Sequence, residues 1–142
     1  MFHSCIISLA ANCNQEKNLA EARSRLSKIL FSAKYTAELW TQPITSSNQD
    51  SRHAPDSSAN CLSQPPYLNQ LVYARTRLSI GTLERRLKET ERMMGRTAEA
   101  RQQGIVCIDL DLMQYDDVRY HLRDWERPYI QQLIANSDSQ PT

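Results

Sequence analysis

Asp109 and Asp111 stand two residues apart in an otherwise apolar run, Val106-Cys107-Ile108-Asp109-Leu110-Asp111-Leu112-Met113. Val106, Ile108, Leu110 and Leu112 take the even positions and the acids the odd ones. That alternation predicts a strand with one apolar face and both carboxylates on the other, roughly 6–7 Å apart. Two anions at this spacing repel by about 0.6 kcal/mol in bulk water and by about 2.5 kcal/mol at an effective dielectric of 20. Aspartate is also a poor strand former. A divalent cation reverses the cost, because a hard ion such as Mg²⁺ takes carboxylate oxygens. Without other signals, a solvent-facing strand edge is the favoured explanation of the pair.

The elements that must position this pair read as follows. Cys5 to Ala10 is a short apolar run, a first strand. Asn12 and Asn14 follow as candidate caps, and Leu19, Ala22, Leu26 and Ile29 form the stripe of a helix over about Gln15 to Ile29. Phe31 to Trp40 alternates again and predicts a half-buried strand. Residues 45–66 are dense in Ser, Asn, Asp, Gln and Pro, a long polar loop that is either a tolerated insertion or a cover for a ligand. Tyr67 to Leu78 is a third strand, and Ser79 is placed to cap a second helix. The helix stripe is Ile80, Leu83, Leu87, Glu91 and Met94, so Glu91 is an acid on a face that should be buried and needs a partner. Gly95 suits a helix stop. Asp116-Asp117 marks a turn after the acid-bearing strand, and Pro128 can open a last helix before a polar tail over 136–142. The order βαββαβ plus a C-terminal helical segment describes an α+β, ferredoxin-like fold, an antiparallel sheet with helices packed on it, in one domain over 1–135.

Composition bounds the function class. The chain has 142 residues, a net charge of +1, 40% hydrophobic and 23% charged residues. Nothing there draws the whole chain to nucleic acid or to a membrane surface. Cys5, Cys13, Cys61 and Cys107 are scattered without a Cys-x-x-Cys pair, which favours reduced thiols in a cytoplasmic protein over disulfides or zinc. No run is long and apolar enough for a signal core or a membrane span.

Four motifs, in order along most of the chain, resemble the hydroxymethyl-dihydropterin pyrophosphokinase family of folate biosynthesis. Pro66-Tyr67-Leu68-Asn69 is similar to its strand-opening Pro-x-(Tyr/Phe)-Leu-Asn. Glu91-Arg92-Met93-Met94-Gly95-Arg96 is similar to its Glu-x-x-x-Gly-Arg, and Ile108-Asp109-Leu110-Asp111-Leu112 to its paired-aspartate strand. His121 with Arg127 and Tyr129 resembles its His-x-x-x-x-x-Arg-x-Phe. The resemblance implies transfer of pyrophosphate from ATP to the hydroxymethyl oxygen of the pterin. It implies that Asp109 and Asp111 hold two Mg²⁺ ions against the triphosphate, chemistry that rests on positioning and charge neutralisation. It implies pterin contacts from Thr41, Ile44, Tyr67, Asn69 and Tyr129, and nucleotide contacts from Glu91, Arg96, His121 and Arg127. The expected partners are small molecules alone, and the expected state is a monomer.

The chain also departs from that pattern. Val106 stands where the family carries an arginine and Gln103 where it carries a tryptophan, while Ala10-Ala11-Asn12 replaces Gly-Ser-Asn. Arg101 and Arg52 are the candidates to replace the arginine. Reduced turnover is one expectation from these changes. The alternative is a non-catalytic paralogue that binds nucleotide, pterin or a protein.

Overall fold

The computed structural model describes residues 1–42, 65–95 and 97–139, without the side chains of 101 and 137–139. Ile44, Arg52, Cys61, Arg96 and the Arg101 side chain therefore lie outside the described residues, as does most of the 45–66 loop. The order is β1 (His3–Ala11), α1 (Gln15–Leu26), β2 (Phe31–Tyr35), β3 (Leu39–Thr41), β4 (Tyr67–Thr76), α2 (Ile80–Met93) and α3 (Ala98–Gln102). It continues with β5 (Asp109–Tyr115), β6 (Val118–Arg119), α4 (Leu122–Trp125) and α5 (Pro128–Ser139). The sheet runs β2-β4-β1-β5-β6, with β3 also paired to β4, and every pairing is antiparallel. This is the expected α+β arrangement.

The core has two halves because β4 lies in the middle of the sheet and is covered on both faces. On one face Leu19, Ala22 and Leu26 of α1 and Leu83 and Leu87 of α2 pack on Ile7, Leu9, Leu68, Val72, Leu110 and Leu112. On the other, Trp125, Ile130 and Leu133 of the C-terminal helices pack on Leu71 and Met113. The C-terminal segment thus covers the face that the first two helices leave bare. A strand with both faces covered loses the inside–outside alternation. β4 accordingly has five consecutive buried residues, Leu68 to Val72.

Local chemistry explains most boundaries. Ser79 caps α2, its Oγ accepting from the Thr82 N–H at 3.3 Å. Gly95 ends it at φ 105°, a conformation in which a side chain would be strained. Asn14 is the N-cap of α1 in a left-handed conformation without a side-chain bond, and the helix stops at Leu26, short of the expected Ile29. The strand over the paired acids begins at Asp109 and reaches Tyr115, later at both ends than the run Val106 to Met113. α5 continues to Ser139, through the first part of the segment read as a tail.

One expectation fails. Phe31 to Trp40 is not a single half-buried strand but two short ones, and β2 is exposed from Phe31 to Lys34. The break centres on Thr36, which is buried at 3% exposure. Its N–H donates to the Leu71 carbonyl at 2.9 Å and its Oγ1 accepts from the Leu71 N–H at 3.1 Å. Gln70 Nε2 donates to the Thr36 carbonyl. Side-chain bonding of this kind competes with the regular ladder. It turns the chain so that Thr36, not Ala37, faces inward.

Leu87 is 1% exposed at the centre of the α2 contact. Leu87→Ala should lower unfolding free energy by about 2–5 kcal/mol in urea denaturation. A loss below about 1 kcal/mol would mean that α2 does not pack on the sheet in this way.

Candidate active site

Strand register assembles the site. Ala10 of β1 is opposite Asn69 of β4 on one side and opposite Asp109 of β5 on the other. Ser8 is likewise between Leu71 and Asp111. Neighbouring strands lie about 4.8 Å apart, so Asn69 and Asp109 face the same side of the sheet across a single small residue. Ser8 and Ala10 form the floor, and the small side chains leave room between the polar groups. Met113, Asp124, Tyr129, Ile130 and Leu133 close a cavity of about 30 Å³ over that floor.

Asp109 and Asp111 share this face as period two requires, while Ile108, Leu110 and Leu112 are buried on the other. Burial raises the Asp111 pKa above the ordinary carboxylate value, and the charge of Asp109 raises it further. Lys88 and His121 oppose that shift. Lys88 Nζ lies 3.7 Å and His121 Nε2 4.0 Å from the same oxygen, Asp111 Oδ1. Lys88 Nζ is also 3.3 Å from Glu91 Oε2.

Glu91 is buried as its place on the helix stripe predicts, at 3% exposure. Its Oε2 accepts from the Leu110 N–H at 2.7 Å, and Lys88 Nζ approaches the Leu110 carbonyl at 3.5 Å. Two side chains of α2 thus satisfy both backbone groups of Leu110, on the edge of β5 that the two-residue β6 does not reach.

The remaining expected residues divide by position. Asn69 is 3% exposed, and its Nδ2 donates to the Leu39 carbonyl at 3.0 Å and to Thr41 Oγ1 at 2.9 Å. Thr41 is therefore joined to the site through Asn69, and the Tyr67 carbonyl accepts a longer bond from the same nitrogen. Tyr129 lines the cavity, and burial pushes its phenol up to about 12. His121 begins α4 in a left-handed conformation, φ 55°. The turn behind it is fixed by Trp125 Nε1, which donates to the Tyr120 and Met113 carbonyls. Arg127 pairs with Asp124 at 2.9 Å. Ile44 and Arg96 belong to the undescribed residues.

Three contributors escaped the sequence reading. Lys88 was legible, since it lies three residues before Glu91 and so on the same helix face. Asp124 was legible by the same spacing to Arg127. Asn12, a candidate cap by sequence, is instead a tie. Its Nδ2 donates to the Gly104 carbonyl at 2.9 Å and its Oδ1 accepts from the Val106 N–H at 2.7 Å. It thereby fixes the segment that leads into β5.

The sequence model of the 7,8-dihydro-6-hydroxymethylpterin-pyrophosphokinase (HPPK) family matches residues 6–137. The chain belongs to this family. A comparison with curated proteins finds no match. Members of the HPPK family are transferases of folate biosynthesis that use ATP as co-substrate together with Mg²⁺. The described residues hold no cluster of three or more His, Cys, Asp or Glu side chains that would cage a metal unaided. Two carboxylates suffice for Mg²⁺ when substrate phosphates and water complete its shell, so the donor set fits the family's ion. No described helix is long and apolar enough to cross a membrane.

The raised Asp111 pKa has a consequence for stability. An acid whose pKa is higher folded than unfolded favours folding fully only below the unfolded value, and that contribution is lost as pH rises through the folded value. Ionised Asp111 therefore costs stability at neutral pH. In metal-free buffer at pH 7, Asp111→Asn should melt above the parent protein, and the gap should close as pH falls below about 3.9, the ordinary aspartate range. A variant that melts lower at pH 7 would contradict this electrostatic account.

Proposed function

We propose that this chain transfers the β,γ-pyrophosphoryl group of ATP to the hydroxymethyl oxygen of 6-hydroxymethyl-7,8-dihydropterin, as a Mg²⁺-dependent cytoplasmic monomer. The observation that carries the proposal is the juxtaposition of Asp109 and Asp111 with Asn69 and Tyr129 around one cavity. Mg²⁺, when bound, supplies neutralisation of the triphosphate and orients it for in-line transfer.

The residues divide that work. Asp109 and Asp111 hold the two ions. Asn69 commits its amide nitrogen to Leu39 and Thr41, which leaves its carbonyl oxygen to accept from the pterin edge. Tyr129 lies over the ring, with Tyr67 and Thr41 at the pterin end, and the family resemblance adds Ile44 to the pterin contacts. A fused ring needs more than about 30 Å³, so Tyr129 must swing off the floor as the ring enters. Glu91, Arg96, His121 and Arg127 take the nucleotide side. His121 already stands at Asp111, the point where the phosphates would meet the ions. Arg127 must exchange Asp124 for phosphate, a geometry that suits a guanidinium.

A second reading has one specific observation behind it. Val106 occupies the position where the resemblance places an arginine, and its N–H is held by Asn12. An arginine on a transferring phosphoryl group is worth roughly 10³–10⁵ in rate in related chemistry. A paralogue without one could retain binding and lose turnover.

An assay for AMP released from ATP in the presence of the hydroxymethyl-dihydropterin separates the two. The first reading expects pterin-dependent AMP, reduced on the order of 10²-fold or more by D109A/D111A, the scale of a lost preorganised electrostatic contact. AMP no higher than that of the double variant would leave the binding paralogue.

A further inference from the structure

We propose that Lys88 is the phosphate-binding cation of this site, which leaves Asp111 for the triphosphate when the nucleotide arrives with its metal. The inference rests on the reading of the site given above and names a residue that the family motifs do not include.

Three observations carry it. First, Lys88 Nζ touches three acceptors at once: Glu91 Oε2 at 3.3 Å, the Leu110 carbonyl at 3.5 Å and Asp111 Oδ1 at 3.7 Å. Its ammonium group is therefore held at the acid pair from the α2 side. Second, its side chain is 52% exposed, whereas Asp111 is 24% and Glu91 4% exposed. Lys88 has an outward path that the two acids lack. Third, His121 meets the same Asp111 oxygen from the opposite element, at 4.0 Å. An ammonium group and an imidazole converge on one carboxylate oxygen that a divalent ion would claim.

The chemistry follows from charge. If Asp109 and Asp111 hold Mg²⁺, Asp111 would no longer be free to pair with Lys88. The displaced ammonium then meets the most anionic group in reach, the polyphosphate on that same ion. A lysine suits this change of partner, because it is a point charge on a flexible stem with three donors. Glu91 does not follow, since the Leu110 N–H holds it at 2.7 Å. Lys88 thereby offers a cation to the phosphates from α2, not from the segment before β5 that bears Val106.

Binding measured by calorimetry tests this independently of turnover. K88A and K88Q should weaken Mg·ATP binding about tenfold or more, the scale of one charge-assisted hydrogen bond. Binding of Mg·AMP, which lacks the β and γ phosphates, should change little, and K88R should recover part of the ATP affinity. Unchanged Mg·ATP affinity in K88A and K88Q would overturn the inference. So would equal losses for ATP and AMP, which would mark Lys88 as a cap of the β5 edge alone. If K88A fails to fold, K88Q and K88R decide by the same two ligands. A parent protein that binds Mg·ATP through Lys88 but releases no AMP would uphold Lys88 and sink the pyrophosphokinase reading. One that does not bind Mg·ATP would sink both.

Discussion

The bond from the Leu110 N–H to Glu91 Oε2 is the contact on which the site depends. β6 is only two residues long and pairs with Gln114 and Tyr115, so β5 has an uncovered edge where it carries the aspartates. A buried backbone group without a partner costs about 1–3 kcal/mol. A longer β6 would remove that cost, but it would lay backbone along the edge where α2 now brings Lys88 beside Asp111. The chain instead uses two side chains of α2 as a surrogate strand. Glu91 takes the N–H and Lys88 the carbonyl, and the edge is satisfied without a third strand beside the acids. The same two side chains bring a cation to within 3.7 Å of Asp111.

The opposite edge of β5 solves a different problem. There β1 must lie flush against both β4 and β5 and still leave space above. Ser8 and Ala10 achieve this because they are small and fall in register with the two rows Leu71–Asp111 and Asn69–Asp109. A large residue at either position would fill the cavity that α5 closes. The other face of β1 has no such restriction, and Ile7 and Leu9 fill it with fully buried aliphatic volume. One strand thus separates a dense core from a polar cleft by the alternation of its side chains.

Most of this frame can be read from the chain, because the signals are local. The Asp109/Asp111 alternation, the α2 stripe ending in Glu91 and the stop at Gly95 each depend on residues within one element. What could not be read depends on partners far away in sequence. Thr36 breaks the expected strand because it bonds Leu71. Asn12 ties β1 to Val106 across more than 90 residues and so resembles a helix cap until the fold is known. Ser8 and Ala10 look like ordinary strand residues, and only the register shows that they are the floor. The exposure of Phe31 follows from β2 being an outer strand, a property of sheet order and not of its own sequence.

The charges around the cleft follow one pattern. Asp111 is balanced by Lys88 and His121, and Asp124 by Arg127. Asp111 and Asp124 are each met by basic side chains that are themselves at least a third exposed. Burying an unpaired carboxylate is expensive, so an acid pair that is to receive a cation, on the proposed reading, needs provisional counter-charges. Fixed counter-charges would then oppose the incoming ion, since a cation locked against Asp111 repels Mg²⁺. Exposed, flexible partners avoid both penalties. On the proposed reading they release the carboxylates to the metal and turn to the phosphates that come with it, so no carboxylate is left uncompensated on entry. The exchange needs only that the cations be few, mobile and near the acids, which does not require them to occupy the position of Val106.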